Sequence, residues 1–221
     1  MVTQPSILNG PTVYETGAGG GGNDKILFYT NFENFDINDN IDTPLIGDSY
    51  EVLKDSYITL QKKDYCLSFI ENQDSNQVNR AFKKIENNKH TRIILSINPH
   101  TIGTNCFFWF SEYIDQSDFG FVSDFDSNSI QEYLVLVKTD VVSTKYNLTY
   151  YNSDFGSWDA YKTNFKLNDV FICDILDDEN NRHVYLNGYK ILDLPKKNEL
   201  YLRPSPRNLG EININELITY K

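Results

Sequence analysis

From residue 26 onward the chain repeats one texture: short apolar and aromatic runs broken by clusters of Asn, Asp, Ser and Gly. Runs of this length, bounded by turn residues, predict an all-β chain. Strands are expected near residues 26–32, 50–53, 57–60, 65–70, 78–85, 92–98, 105–113, 118–123, 131–138, 146–152, 169–176, 182–187, 189–193 and 211–219. The sharpest local signal is "RHVYLNGYKILDL", where Asn187 and Gly188 both tolerate positive φ and can close a two-residue type I′ hairpin. The polar cluster Asp177 to Asn181 separates two apolar strands just before it, so 169–193 should form a three-stranded antiparallel meander. In the last strand Ile212, Ile214 and Ile218 are expected on one face, with Asn213, Asn215 and Thr219 on the other. Glu216 breaks that alternation, which predicts a bulge or a sheet edge. The stretch "NQVNRAFKKIENN" (76–88) stays open between helix and strand, with strand favoured because Asn and Asp punctuate both ends.

Residues 1–25 read differently. Pro5, Pro11, Gly17, Gly19, Gly20, Gly21 and Gly22 leave little from which a helix or buried strand could form. Two units are therefore expected: a flexible Gly-rich arm over 1–25 and one β-domain over 26–221, a length ordinary for a sandwich. The abundance of rings, 15 Tyr and 14 Phe against one Met, suits a pleated, half-buried surface. A formal net charge of -11 argues against nucleic acid and anionic membrane surfaces as partners, because both would repel the chain. Apolar runs such as Cys106 to Phe110 are strand-sized, and the start lacks a basic segment followed by an apolar one, so synthesis in a cytoplasm without a signal peptide is expected. Cys66, Cys106 and Cys173, odd in number and set in apolar surroundings, read as buried free thiols.

Three segments together, "ILFYTNFENF", "HVYLNGYKI" and "GEININELITYK", resemble the concanavalin A-like jelly rolls, the lectin, glucanase and laminin-G-like superfamily. The resemblance covers about residues 26–221 and implies an antiparallel two-sheet β-sandwich in which the last strand returns beside the first. It says little about function, because one scaffold of this kind hosts many activities.

The glucanases of that superfamily resemble one another in a Glu-x-Asp-x-Glu or Glu-x-Asp-x-x-Glu strand, whose alternation sets carboxylates on one face. No such stretch occurs in this chain, and Glu112 with Asp115, or Asp124 with Asp126, do not reproduce it. Asp124, Asp126 and Asn128 offer oxygen donors at alternate positions, a weak calcium candidate that lacks the Gly an EF-hand loop requires. His90, His100 and His183 are too dispersed to suggest a metal or nucleophilic centre, so no cofactor is expected. What remains is binding. "YYNSDFGSWDAY" reads as a long loop in which Trp158, Asp159, Tyr161 and Tyr151 supply rings and polar neighbours for a glycan. Trp109, inside an apolar run, reads as core.

The arm weighs in the functional expectation. A glycine-rich tail with Val13 and Tyr14 as small anchors can thread along a neighbouring subunit, and tailed phages carry similar jelly rolls on short N-terminal anchors. The expectation is a non-enzymatic virion accessory protein, a capsid decoration, head fibre or tail component. It would be a homo-oligomer docked through its arm to a capsid or tail protein, displaying the sandwich toward host or environmental glycans. A free-standing carbohydrate-binding module or lectin is the first alternative, and a glycan hydrolase or lyase on the same scaffold is the second.

Overall fold

The computed structural model describes residues 25–52, 54, 58–64, 66–72, 83–85, 90–98, 107–111, 135–139, 146–152, 157–165, 169–195, 200–206 and 210–221. Among them every regular element is a strand, and every pairing is antiparallel. The larger sheet contains β1 (Ile26–Thr30), β4 (Ile58–Lys63), β5 (Cys66–Glu71), β7 (His90–Asn98), β12 (Phe171–Asp177), β13 (Asn181–Leu186), β14 (Tyr189–Pro195) and β16 (Glu211–Tyr220). Their order is β14-β13-β12-β7-β16-β5-β4, with β1 also on β16. The second sheet runs β11-β10-β9-β8-β15-β6, built from β6 (Lys83–Ile85), β8 (Phe107–Ser111), β9 (Val135–Thr139), β10 (Tyr146–Asn152), β11 (Ser157–Phe165) and β15 (Leu200–Ser205). A short ribbon pairs β2 (Ile41–Asp42) with β3 (Tyr50–Glu51).

The first strand lies beside the last, as the terminal segments suggested. Along one side β16 pairs with β7; along the other it pairs first with β5 (Glu211 to Ile214) and then with β1 (Leu217 to Tyr220). With neighbours on both sides β16 exposes no free edge, and it is buried over Ile212–Ile214 and Leu217–Thr219. Between those stretches the register against β7 shifts: Ile214 faces Leu95, and Glu216 already faces Ile94. This is the bulge that Glu216 signalled, and it corrects the expected faces. An extra residue reverses every later position. Leu217 and Thr219 therefore join Ile212 and Ile214 on the inward face, opposite Thr30 and Phe28 of β1, whereas Ile218 turns outward.

The inward face carries the core: Phe28, Leu60, Leu67, Phe69, Ile93, Leu95, Phe171, Cys173, Ile175, Val184, Leu186, Ile212, Ile214 and Leu217 are all buried in one cluster. Each large side chain here contributes about 1.5–3 kcal/mol relative to exposure. At one end of this layer the buried Arg182 grips Asp177 across β12 and β13 with two bonds of 2.8 and 3.0 Å.

The 169–193 meander forms as expected, β12 to β13 to β14. At the tip of its second hairpin Asn187 (φ 47) and Gly188 (φ 82) take the left-handed conformation. Asn187 also ties that tip to β12: its N–H donates to the Ile172 carbonyl at 2.8 Å, and its Oδ1 accepts from the Ile172 N–H at 2.9 Å. Three strands lay outside the sequence expectation. Residues 157–165 form β11 where a loop was expected, the two-residue β2 lies in a polar turn-rich stretch, and β15 contains Pro204, a residue that normally argues against a paired strand. The 118–123 segment, Cys106, most of 76–88 and the whole arm to residue 24 lie outside the described residues.

Candidate functional site

The outward face of the larger sheet differs sharply from the core. Along β12 and β13 buried and half-buried residues alternate, so that Ile172, Asp174 and Leu176, with His183 and Tyr185, turn away from the core. Strand register then aligns them. One row crosses five strands as Tyr185, Asp174, Arg92, Ile218 and Tyr29. The adjacent row runs Asp193, His183, Leu176, His90 and Tyr220.

Asp174 is the centre of this face. Its Oδ1 accepts from His90 Nε2 and from Arg92 Nε, both at 2.7 Å, and its Oδ2 accepts from the second Arg92 nitrogen at 3.2 Å. The His90 ring stacks on Tyr220 with centroids 4.8 Å apart and planes inclined by 22°. Burial pushes the Asp174 carboxyl up, but the hydrogen bonds from His90 and Arg92 and the guanidinium charge outweigh it and hold the group below the usual carboxylate range. Asp174 stays ionised.

Glu216 reaches the same face because of the bulge, two residues along from the row of Arg92. Burial raises its carboxyl above the ordinary glutamate value, and the Arg92 charge offsets only part of that. Tyr29 registers the same neighbour: its hydroxyl is raised first by burial and then by the Glu216 charge. Two carboxyl groups on one outward face are thus pushed in opposite directions, with one arginine between them. Environments that separate two carboxyl pKa values in this way divide the roles of acid and base.

Two other polar groups occupy this sheet. His183 is held between Asp193 at Nδ1 and Asp178 at Nε2 (3.0 Å), and Lys190 pairs with Asp193 at 2.7 Å. These partners raise the imidazole pKa, Asp193 most and then Asp178. Asp178 is held down to about 2, first by the backbone N–H groups of Asn181 and Asn180 that it caps. Farther along, Ser68, Asn213 and Ser96 form a buried hydrogen-bonded ladder across β5, β16 and β7, with the Cys66 thiol beside it. Burial raises both Cys66 and Cys173, which makes them inert thiols.

The residues singled out from the sequence fall elsewhere. Trp158, Asp159 and Tyr161 lie on β11, and Tyr151 on β10; backbone register sets Tyr151 opposite Trp158, Tyr150 opposite Asp159 and Leu148 opposite Tyr161. Trp109 lies on β8, opposite Arg203 of β15. Val13, Tyr14, Gly17, Gly19, Gly20, Gly21 and Gly22, and the calcium candidates Asp124, Asp126 and Asn128, lie outside the described residues. Among the described residues no three His, Cys, Asp or Glu side chains converge as metal ligands. Sequence reasoning missed Asp174, Arg92, His90 and Glu216, because they come from three strands far apart in the chain. The one available signal was Glu216 itself, a charge at a strand position that alternation could not explain.

No family model matches the chain, and no curated protein matches it. Solved structures do. An endo-β-galactosidase from Clostridium perfringens that releases GlcNAcα1-4Gal superposes with a TM-score of 0.55 at 8% identity, covering 96% of this chain and 65% of that one. The κ-carrageenase from Pseudoalteromonas carrageenovora gives 0.53 at 9% identity, over 95% of this chain and 99% of the enzyme. An alginate lyase from Zobellia galactanivorans gives 0.51 at 13% identity, over 78% and 84%. The fold is a concanavalin A-like jelly roll. The expectation of a non-enzymatic virion accessory protein is corrected by these comparisons, because the structures that this jelly roll resembles degrade glycans. The Gly-rich arm favoured a structural role and no one-strand acidic motif spoke for the hydrolase alternative, yet a sheet can bring carboxylates together from separate strands.

Proposed function

We propose that the protein is a glycan-degrading enzyme, and specifically a glycoside hydrolase acting on a neutral polysaccharide. The observation that carries this reading is the pair Asp174 and Glu216, shifted in opposite directions on one face of a scaffold similar to glycan-degrading enzymes. Glu216, whose carboxyl burial raises above the ordinary glutamate value, can donate a proton to the departing glycosidic oxygen. Asp174, kept ionised by Arg92 and His90, can activate a water or stabilise positive charge at the sugar. Register places the two residues two strands across and two residues along, about 12 Å between Cα atoms from ordinary strand spacings. Side chains of this length, both turned outward, can close that gap to the ~6.5–9.5 Å that inverting hydrolysis uses.

Charge favours hydrolysis over elimination. A lyase needs a uronate, whose carboxylate must be neutralised by a free cation, whereas Arg92 already serves Asp174 with two bonds. The net charge of -11 also opposes a polyanionic chain. The test is incubation with neutral and anionic polysaccharides, following reducing ends and the ultraviolet absorbance of an unsaturated uronate separately. New reducing ends from a neutral glycan without that absorbance support the reading. Absorbance from alginate, or no cleavage of any glycan, contradicts it.

A further inference from the structure

The two carboxyl groups occupy only part of the outward face. On either side of them, in line across the strands, stand rings. Tyr185 closes one end of the row through Asp174 and Arg92, and Tyr29 closes the other, while the His90 and Tyr220 rings lie stacked in the adjacent row. All four are half-buried: each keeps part of its surface toward solvent while its neighbours in sequence fill the core or the sheet. From Tyr185 to Tyr29 the row crosses four strand spacings, about 19 Å in all. A β-linked hexose advances its chain by a length similar to one such spacing, so the row matches a run of about four sugars.

We infer that this band is a glycan-binding surface on which a neutral polysaccharide lies across the strands, its sugar faces against Tyr29, Tyr220 and Tyr185 and its hydroxyls toward Arg92 and Asp174. It rests on the hydrolase reading for its substrate class and adds where and in which direction the chain lies. Three features of the band suit that occupant. Rings present flat apolar faces that match the C–H faces of a pyranose, and their hydroxyl groups supply hydrogen bonds at the edges. Asp174 and Arg92 pair with each other, so at the centre of the band neither presents an uncompensated charge that would select an ionic ligand. The direction follows from register, because the rings line up between strands and not along one strand, so a bound chain must cross the sheet to meet them all.

The experiment is affinity electrophoresis of the full chain bearing Glu216→Gln, so that the glycan is not consumed. Separate gels carry laminarin, a soluble neutral galactan, κ-carrageenan or alginate. Retardation by laminarin or the galactan, weakened about fivefold or more by Tyr185→Ala and again by Tyr29→Ala, supports the band. Circular dichroism checks that each variant is folded. Tyr185→Ala, near the sheet edge, decides the matter alone if Tyr29→Ala does not fold. Retardation by neither neutral glycan, retardation only by the anionic ones, or binding unchanged by the tyrosine substitutions overturns it. Failure of the band and failure of the hydrolase reading are distinguishable. Cleavage by the unsubstituted protein with tyrosine-independent binding removes only the band, and tyrosine-dependent binding without cleavage removes only the hydrolase.

Discussion

Arg92 and Asp174 face one another across β7 and β12, joined by two hydrogen bonds of 2.7 and 3.2 Å, and neither side chain is more than 13% exposed. A carboxylate so enclosed cannot lose its cation cheaply. Arg92→Met is expected to cost about 1.5–3 kcal/mol, the value of a hydrogen bond to a charged group, because Asp174 is left half-paired. Urea unfolding measures this, and Asp174→Asn in the same background should recover part of the loss.

The register of β16 after its bulge is expected to be fixed by packing. Asn215 is the extra residue, so deleting it would leave Ile214 opposite Leu95 and Glu216 opposite Ile94, with Leu217 and Thr219 still facing the core and Ile218 still outward. The expected result is a chain that still folds cooperatively, read by near-ultraviolet circular dichroism. A deletion variant that does not fold would show that the bulge itself, and not the alternation that follows it, holds the strand in place.

Two glycines with positive φ separate backbone strain from crowding. At Gly188 (φ +82) a Cβ meets nothing within 4 Å, so Gly188→Ala should cost only the left-handed penalty, about 1–2 kcal/mol. At Gly47 (φ +107) the same atom would stand 2.7 Å from Cδ2 of the buried Phe28 ring. Gly47→Ala should therefore cost clearly more, and thermal melts of the two variants side by side provide the comparison.

Much of the fold was legible because it is written locally. The Asn187-Gly188 turn and the polar cluster Asp177 to Asn181 between two apolar strands are patterns that a few consecutive residues define. β11 was not legible, because Ser157, Asp159 and the preceding Asp154 and Gly156 carry turn chemistry, while the strand's stability comes from pairing with β10. The site was hidden for a related reason. His90 and Arg92, Asp174 and Glu216 are each unremarkable in their own strands, and only the register of β12 on β7 and of β7 on β16 makes them neighbours.

His183 should give the stability a pH dependence on its alkaline side. Its folded pKa is raised by Asp193 and Asp178, so its contribution is complete below the unfolded value of about 6.5 and is lost as pH rises through the folded value. Asp178 acts at the other end: its contribution is present above about pH 4 and is lost as pH falls toward its folded value of about 2. Melting temperatures of the parent and His183→Gln across neutral pH should converge as pH rises. A constant difference would mean that the imidazole is held by shape and not by charge.

The measurement that bears most directly on the whole account is the rate at which the protein, Asp174→Asn and Glu216→Gln release reducing ends from a neutral polysaccharide, followed across pH. The parent rate should rise with pH as Asp174 ionises and fall as Glu216 loses its proton, giving an optimum on the acidic side of neutrality. Each variant should be slower by about a hundredfold or more while melting cooperatively. Undiminished rates in both folded variants, or a parent that cleaves no glycan, would contradict the assignment.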